Sequence, residues 1–315
     1  MIRTASVDLS AVAATSGAAA EVAGAAGTDP GPRSAGAPGT GRRVWGAGGT
    51  GMELTIIGCS GSFAGPDSAA SCYLVSGEDE AGRTWRILLD LGSGGLGAIQ
   101  RHLSLPQIDG IFISHLHPDH CIDLAGLHIA VRWDPRGWPG PPIPLWGPAD
   151  THPYLARTHG IGLEPGLTGS FGFHPWAPGE PVRLGPFTVR AFPVLHPAPE
   201  PYAIRVTHEL AGRPQRPGLL GGLGRVPRAG RGRPGGGFLP VRGRLPGGAR
   251  RRDPRGAPDR DAAGRVATEA DVGHLMLTHL PVWNDPEVAR AEASRTYAGP
   301  ICVAEDSRTY AIPPR

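Results

Sequence analysis

The sequence predicts an α/β fold, and three observations support this class. Short apolar runs bounded by Gly, Asp or Pro recur between residues 52 and 208 and again between 266 and 315, as is typical of buried strands. Segments in which apolar residues recur every three or four positions separate several of these runs and predict helices. One strand-like run, at 111–113, leads directly into a cluster of histidine and aspartate at 114–120.

The predicted strands begin where patterned sequence begins, after Met52. They lie at 54–57, 71–75, 85–90, 108–113, 143–147, 190–196, 275–278 and 301–304, with a hairpin at 182–189. Helices are predicted at 96–103, 121–127 and 287–296. Three tryptophans could stack on a nucleotide base, but we expect them to pack in the core instead. They are Trp133, Trp138 and Trp146.

Two polar features follow the predicted strands. A glycine-rich turn at 58–62 lacks the G-x-x-x-x-G-K-S/T pattern of a phosphate-binding loop, so we interpret it as a tight connection that lines the site. Asp90 ends its strand and has two alternative interpretations. It could brace a metal-binding histidine, or it could cap the start of a helix.

Composition limits the domain organisation and the class of partner. The 315 residues are 40% hydrophobic, enough for one large domain, yet 49 Gly and 35 Pro are too many for an evenly compact fold. The excess lies in 212–265 and in 1–51. We expect residues 1–51 to be a disordered extension that precedes a natural start at Met52. The domain itself is predicted to span 52–315. The net charge of +3 comes mostly from 212–265, so it does not indicate a nucleic-acid partner.

The cysteines predict a reduced, cytoplasmic protein. All four lack C-x-x-C spacing and lie in apolar segments, as small core residues do. They are Cys59, Cys72, Cys121 and Cys302. No apolar run approaches the roughly 18 residues needed to span a membrane, so a membrane partner is not expected.

The histidine cluster has the composition of a metal site. His115, His117, Asp119 and His120 lie within six residues, directly after a predicted strand whose rigid end can aim several side chains at one point. Imidazole nitrogen and carboxylate oxygen suit Zn²⁺ and similar divalent ions. In this order, the first two histidines can share one ion while the aspartate and the last histidine turn toward a second. The alternative is a histidine-rich surface turn without a metal.

The H-x-H-x-D-H motif after a strand resembles the signature of the metallo-β-lactamase superfamily of metal-dependent hydrolases. Further similarity lies in GCSGS at 58–62, GPDS at 65–68, LLDLG at 88–92 and LTH at 277–279. These flanks are similar to the actinobacterial branch linked to 3′,5′-cyclic-nucleotide phosphodiesterase activity. The resemblance covers 52–208 and 266–315, and it implies an αββα sandwich of two mixed β-sheets with helices on the outside.

The resemblance also implies the remaining metal ligands. A metal held by two histidines of the motif needs a third protein ligand, and the superfamily has one at the position of His196. His279 occupies the matching place for the second metal. The complete predicted ligand set is His115, His117, His196, Asp119, His120 and His279, of which Asp119 and His120 are also the predicted catalytic residues. Two Zn²⁺ ions are expected, with Mn²⁺ or another divalent ion as the alternative.

The other histidines lack such a context, and we expect them to be structural. They are His102, His128, His152, His159, His174, His208 and His274.

Residues 212–265 do not fit this domain. They are rich in Arg, Gly and Pro without a hydrophobic period, so we expect neither strands nor helices there. The resemblance implies instead a strand ending in Ser-Gly-Asp, a strand Phe-Leu-Cys-Glu-Ala and a His-Leu-Thr-Gly turn. Codons for 218–223, 239–244 and 257–260 can be chosen so that translation one base later gives these three motifs in order. A compensated frameshift, entered near residue 211 and left near 262, is therefore our leading hypothesis.

A basic loop for nucleic-acid binding is the alternative interpretation of 212–265. It lacks the interleaved aromatic residues that would stack on single strands. The frameshift hypothesis leaves the predicted sandwich incomplete in the chain as written.

The resemblance implies a two-metal phosphodiesterase acting on 3′,5′-cyclic nucleotides. In such sites two ions roughly 3.5–4 Å apart activate a water and neutralise the phosphoryl oxygens. The superfamily's metal-bridging aspartate and proton-donating histidine would fall within 212–265, so we expect the chain as written to be impaired. Two alternatives are a nuclease similar to those that process transfer-RNA 3′ ends, and an inert relic of the fold.

The expected partner is a small phosphodiester substrate. A homodimer is left open, and neither a membrane nor a nucleic acid is expected.

Overall fold

The computed structural model describes residues 51–194, 196–208, 238–242 and 262–312. The strands in this part of the chain are β1 (Met52–Ser60), β2 (Ala69–Ala70), β3 (Cys72–Glu78), β4 (Thr84–Leu91), β5 (Gly110–Phe112), β6 (Ile143–Gly147), β7 (Phe171–Pro175), β8 (Val182–Leu184), β9 (Phe187–Pro193), β10 (Tyr202–His208), β11 (Phe238–Arg242), β12 (His274–Thr278), β13 (Ile301–Val303) and β14 (Thr309–Ile312). The helices are α1 (Gly95–Ile99), α2 (Pro118–Cys121), α3 (Leu124–Trp133), α4 (Thr151–His159), α5 (Ala262–Glu269) and α6 (Pro286–Ser294).

The largest sheet is mixed and has the strand order β14-β1-β3-β4-β5-β6-β7, with the short β2 beside β1. Successive strands from β14 through β1 and β3 to β4 are antiparallel, whereas successive strands from β4 through β5 and β6 to β7 are parallel. Parallel neighbours need crossover connections, and these contain α1 to α4. The histidine cluster therefore follows the end of β5, a strand in the parallel half.

Two smaller sheets complete the described strands. β10, β9 and β8 form an antiparallel sheet, and β11, β12 and β13 form a parallel one. Apolar residues on opposite faces of the large sheet belong to separate cores, as the twofold period of a strand requires. Ile57 and Ile111 pack with helical residues such as Leu127, whereas Ile56 and Phe112 pack with residues of the smaller sheets.

A third core packs α5 and α6 against β12. The order of layers is thus helices, the large sheet, the smaller sheets and helices again. This confirms the predicted α/β class and the αββα sandwich. No helix among the described residues is long and apolar enough to cross a membrane.

Most predicted strands are present, but some boundaries differ. β9 runs through the predicted boundary at residue 190, because buried Val189 and Ala191 continue one alternating pattern. The predicted helix at 96–103 is shorter, and the one predicted at 121–127 is divided into α2 and α3. At that division the side chain of Asp123 accepts a hydrogen bond from the backbone of Leu96. The expectation that Trp133 packs in the core is wrong, since it is 67% exposed.

The expectation that 212–265 contains neither strands nor helices is also wrong where the structure describes it. β11 lies there and pairs in parallel register with β12, from Phe238 opposite His274 to Arg242 opposite Thr278. α5 begins at Ala262. Strand pairing uses backbone groups and does not require an apolar period, and Pro240 is compatible with a strand at the edge of a sheet. The hypothesised frameshift and the rest of 212–265 lie outside the described residues.

Candidate metal centre

The end of β5 is fixed on both sides before the histidine motif begins. The backbone N–H of Ile113 donates to the carbonyl of Trp146 at 2.8 Å. The indole N–H of Trp176 donates to the carbonyl of Ile113 at 2.9 Å. The next carbonyl, of Ser114, accepts from the backbone N–H of Tyr202 at 2.9 Å, which ties the motif to β10.

Asp90 braces the motif from below. Its Oδ1 atom accepts from the backbone N–H of Ser114 at 2.7 Å, and its Oδ2 atom accepts from the Ser114 hydroxyl at 2.8 Å. Oδ2 also lies 2.5 Å from Nδ1 of His120. The residue before the first turn of α1 is Gly94, so Asp90 is not a helix cap. Of the two alternatives, the structure supports the histidine brace.

Three histidines from two distant segments form the first ligand group. Nδ1 of His117 lies 3.1 Å from Nε2 of His115 and 3.2 Å from Nε2 of His196. His115 and His117 follow β5, whereas His196 follows β9. His115 is fully buried. The loop connections bring the three ring nitrogens to one point, as the sequence predicts.

Asp119, His120 and His279 form the second ligand group. Oδ2 of Asp119 lies 3.5 Å from Nε2 of His120 and 2.8 Å from Nε2 of His279. All three residues are buried, with exposed fractions of 8%, 0% and 7%. His279 follows the end of β12 and has a left-handed backbone with φ of 58°. This conformation is uncommon for a residue with a side chain.

Both groups have donor sets and spacings that suit a tetrahedral divalent ion. In each group the three ligand atoms lie within 4.8 Å of one another. A tetrahedral Zn²⁺ with bonds of about 2.0–2.1 Å would place its ligand atoms about 3.3 Å apart. The separations of 3.1 and 3.2 Å in the first group are close to this value. The chemistry and geometry of the residues therefore fit metal ions at both groups.

Asp119 remains ionised across the neutral range. Burial raises the pKa of its carboxyl, but hydrogen bonds to His120 and His279 outweigh this effect and hold the pKa well below its usual range. The backbone N–H of Ser62 also donates to Oδ2 of Asp119 at 3.0 Å. An ionised carboxylate is an acceptor only, which suits a ligand to a cation.

The two groups are adjacent. The ring centroids of His115 and His120 are 4.0 Å apart, and those of His120 and His279 are 5.3 Å apart. This proximity is what a centre with two neighbouring ions requires.

The glycine-rich turn contributes more than the sequence indicated. It lines the site as expected, but residues 58–60 belong to β1, so the turn begins only after Ser60. The donation from Ser62 to Asp119 was not predicted. The carbonyl of Leu280 also accepts from the backbone N–H of Gly61 at 3.0 Å, so this turn supports the His279 segment. Both donors are backbone N–H groups, which leave no signal in side-chain patterns.

The remaining seven histidines belong to neither group within the described part of the chain. His128 bonds to the hydroxyl of Ser170 at 2.8 Å, and His208 to the carbonyl of Glu78 at 2.9 Å. His174 stacks on Trp146. These contacts are the kind expected of structural histidines.

Comparisons with known proteins agree with this geometry. The sequence model of a family described as the beta-lactamase superfamily domain matches residues 86–280. Rv1339 of Mycobacterium tuberculosis is 34% identical over 267 residues, which cover 83% of this chain and 92% of that protein. YhfI of Bacillus subtilis, described as a probable metallo-hydrolase, is 26% identical over 81% of this chain and 97% of its own length.

Solved structures show the same fold. The crystal structure of YhfI superposes with a TM-score of 0.63 at 23% identity, covering 82% of this chain and 98% of that one. The short form of human tRNase Z superposes with a TM-score of 0.56 at 21% identity, covering 83% and 99%.

Proposed function

The chain belongs to the metallo-β-lactamase superfamily and is a metallo-hydrolase of that fold, and from this membership we propose that it is a phosphodiesterase for 3′,5′-cyclic nucleotides. The observation that carries the proposal is the pair of adjacent three-residue groups, whose spacing suits two divalent ions. Paired ions of this kind activate water for attack and neutralise the oxygens of a phosphoryl group. Zn²⁺ is the proposed metal, because its usual ligands are the nitrogen and oxygen donors present here.

The chain's own residues would share the work as follows. His115, His117 and His196 would hold one ion, and Asp119, His120 and His279 would hold the other. Asp90 orients His120 by accepting a hydrogen bond from its Nδ1–H, which leaves Nε2 directed toward Asp119. Asp119, kept ionised, can accept a hydrogen bond from an attacking water as well as bind an ion. Asp119 and His120 are therefore the proposed catalytic residues.

Opening a cyclic phosphate also needs a proton for the departing ribose oxygen. A positioned donor contributes about 10²–10⁴-fold to such a step. The superfamily resemblance assigns this donor to a histidine and the bridging role to an aspartate. Both belong to motifs that are absent from 212–265 in its present reading frame. The position of β11 supports the frameshift proposal. It lies at Phe238–Arg242, where the shifted frame at 239–244 would encode the expected strand Phe-Leu-Cys-Glu-Ala.

We further propose the domain boundaries 52–315, a cytoplasmic location and a small-molecule substrate rather than nucleic acid. The four cysteines have no disulfide between them, which is compatible with a reducing compartment. A homodimer remains part of the proposal, to be tested by light scattering.

The decisive experiment compares the full chain with a frame-corrected version, each loaded with Zn²⁺ or Mn²⁺. Cyclic AMP turnover is measured by chromatography of the product, and bound metal by elemental analysis. We expect about two ions per frame-corrected chain and hydrolysis at least about 10²-fold faster than for the chain as written. A His115→Ala/His117→Ala control should remove metal and activity together. A metal-loaded, frame-corrected chain that leaves cyclic AMP intact would overturn the proposal.

The same experiment separates two rivals. Human tRNase Z has this fold, which favours a nuclease acting on transfer-RNA 3′ ends as the second candidate. Cleavage of a precursor transfer RNA without cyclic AMP turnover would support that candidate. A folded chain that binds no metal would instead be an inert relic.

A further inference from the structure

Two exposed aromatic side chains, Phe63 and Trp283, lie in the loops that support the second ligand group. We call them the rim pair. Phe63 is 43% exposed and Trp283 is 58% exposed, and their ring centroids are 5.5 Å apart. Burying a large aromatic side chain away from water lowers the free energy. Their joint exposure beside a polar site is typical of a surface that binds a ligand.

The rim pair is tied closely to the metal centre. Phe63 directly follows Ser62, whose backbone N–H donates to Oδ2 of Asp119 at 3.0 Å and also approaches Nε2 of His279 at 3.3 Å. Trp283 follows His279 by four residues, a reach of at most about 14 Å. The organic group attached to a phosphate at the centre would therefore lie near these two rings.

The two loops are packed against each other, so the rim pair is held in place. A methyl group at Gly61 would overlap the backbone carbonyl of His279, and one at Gly65 would lie 2.7 Å from Cγ1 of Val282. The backbone of Ser60 forms a bridge with that of Leu280. Pre-organised aromatic surfaces bind with little loss of side-chain entropy.

The geometry of the rings limits how a ligand can sit. Their planes are tilted by 43°. Inserting a flat ring between two others needs about 7 Å, because contacting carbon atoms lie 3.5–4.0 Å apart. At 5.5 Å the rim pair cannot hold a base in its gap. A base would instead stack on an outer ring face and contact the other ring at its edge.

We propose that the rim pair binds the base of the nucleotide whose phosphate occupies the metal centre. This inference rests on the proposed function and deepens it, because it assigns recognition of the base to Phe63 and Trp283. Stacking on an aromatic side chain tolerates every base, since each has a π-face. The pair therefore distinguishes nucleotides from phosphodiesters without a base, and it discriminates weakly among the bases.

The test measures binding of AMP and of ribose 5-phosphate, which lacks the base, to the Zn²⁺-loaded full chain by calorimetry. The wild-type chain should bind AMP about 5- to 150-fold more tightly, the range that one stacked base provides. Phe63→Leu and Trp283→Leu keep apolar side chains but remove the aromatic faces. Each should reduce this preference, and the double variant should abolish it without changing bound metal or ribose 5-phosphate affinity.

Trp133→Leu is the matched control, because Trp133 is a 67% exposed tryptophan on α3. It should leave the preference for AMP unchanged. Equal binding of both ligands by the wild-type chain, binding of neither, or unchanged AMP affinity in the double variant would each overturn the inference. Loss of a dimer in Trp283→Leu with intact AMP binding would also overturn it, and would identify a second copy as the occupant.

Failure of this inference is distinguishable from failure of the proposed function. Cyclic AMP turnover with no effect of the rim-pair variants leaves the function standing and removes the inference. Preference for AMP in a metal-loaded chain that hydrolyses no cyclic nucleotide would support base binding by the rim pair and overturn the proposed function.

Discussion

Oδ2 of Asp90 lies 2.5 Å from Nδ1 of His120, and both side chains are buried. An ionised carboxylate can only accept, so this contact favours a proton on Nδ1 of His120 and makes Nε2 the nitrogen that would bind an ion. Nε2 is the atom that approaches Asp119 in the second ligand group. Asp90 thus favours the tautomer of His120 that a metal ligand at Nε2 needs.

Asp90→Asn should weaken metal binding at the second group. An amide can turn its NH₂ toward Nδ1 and favour the wrong tautomer, and loss of such a supporting contact typically costs 10–100-fold in metal affinity or activity. Competition with a coloured zinc chelator measures the affinity. Asp150→Asn is the control, since Asp150 is half exposed and pairs with Arg157 far from the motif in sequence. Equal zinc affinity in Asp90→Asn and wild type would contradict this role.

Gly92→Ala should disturb the second group through the backbone. A methyl group there would overlap the carbonyl oxygen and carbon of Asp119, and backbone atoms cannot move aside cheaply. We expect a loss of about 1–3 kcal/mol in the free energy of unfolding and fewer bound ions per chain than in the same chain with Gly92. Urea unfolding and elemental analysis measure the two effects.

Gly97→Ala is the control for that substitution. Gly97 lies within α1, and a methyl group there would meet no atom within 4 Å. The variant should be neutral or more stable by up to about 1 kcal/mol, because alanine favours a helix. If both glycine variants behave alike, the close approach at Gly92 has no consequence.

Phe112→Ala should destabilise the domain strongly. Phe112 is fully buried and stacks on Trp146 at 4.9 Å and on Trp176 at 5.7 Å. Removing such a side chain leaves a cavity and costs about 3–5 kcal/mol. Ile129→Ala, at a position that is 47% exposed, should change stability by less than about 1 kcal/mol. Urea midpoints that coincide for the two variants would disprove this difference.

The cysteines should react slowly with thiol reagents in the folded protein. Burial raises the pKa of Cys302 to about 11, and it also raises the pKa of Cys59, Cys72 and Cys121. A raised pKa lowers the thiolate fraction, which for Cys302 is about 10⁻³ at pH 8. Mass spectrometry after maleimide treatment should show little labelling at pH 8 and four labels in guanidinium. Rapid native labelling of any one cysteine would disprove this.

Side-chain chemistry and position after a strand were sufficient to predict the cluster at 115–120. His196 and His279 were assigned as ligands by the resemblance to the superfamily, and the structure brings both to the groups for which they were predicted. The roles of these residues as ligands stay predictions until metal is measured. Most strand positions at 52–208 were also predictable from β-branched and apolar runs, but β7 and β10 were not predicted.

The rest depended on backbone geometry that sequence patterns do not encode. The N–H of Ser62 reaches Asp119 because Ser62 has a left-handed φ of 67°. Trp133 was expected to be buried because tryptophan usually is, but its place at the end of α3 exposes it. β11 was missed because its pairing with β12 uses main-chain groups, which an Arg, Gly and Pro composition neither predicts nor forbids.

His196 follows β9 of one small sheet, His279 follows β12 of the other, and His115 follows β5 of the large sheet. Each ion site therefore takes its ligands from two sheets, and the two sites together need all three sheets. Stoichiometric zinc in a purified preparation would certify that all three sheets have docked, which gives a practical criterion for separating correctly folded material from partly folded material.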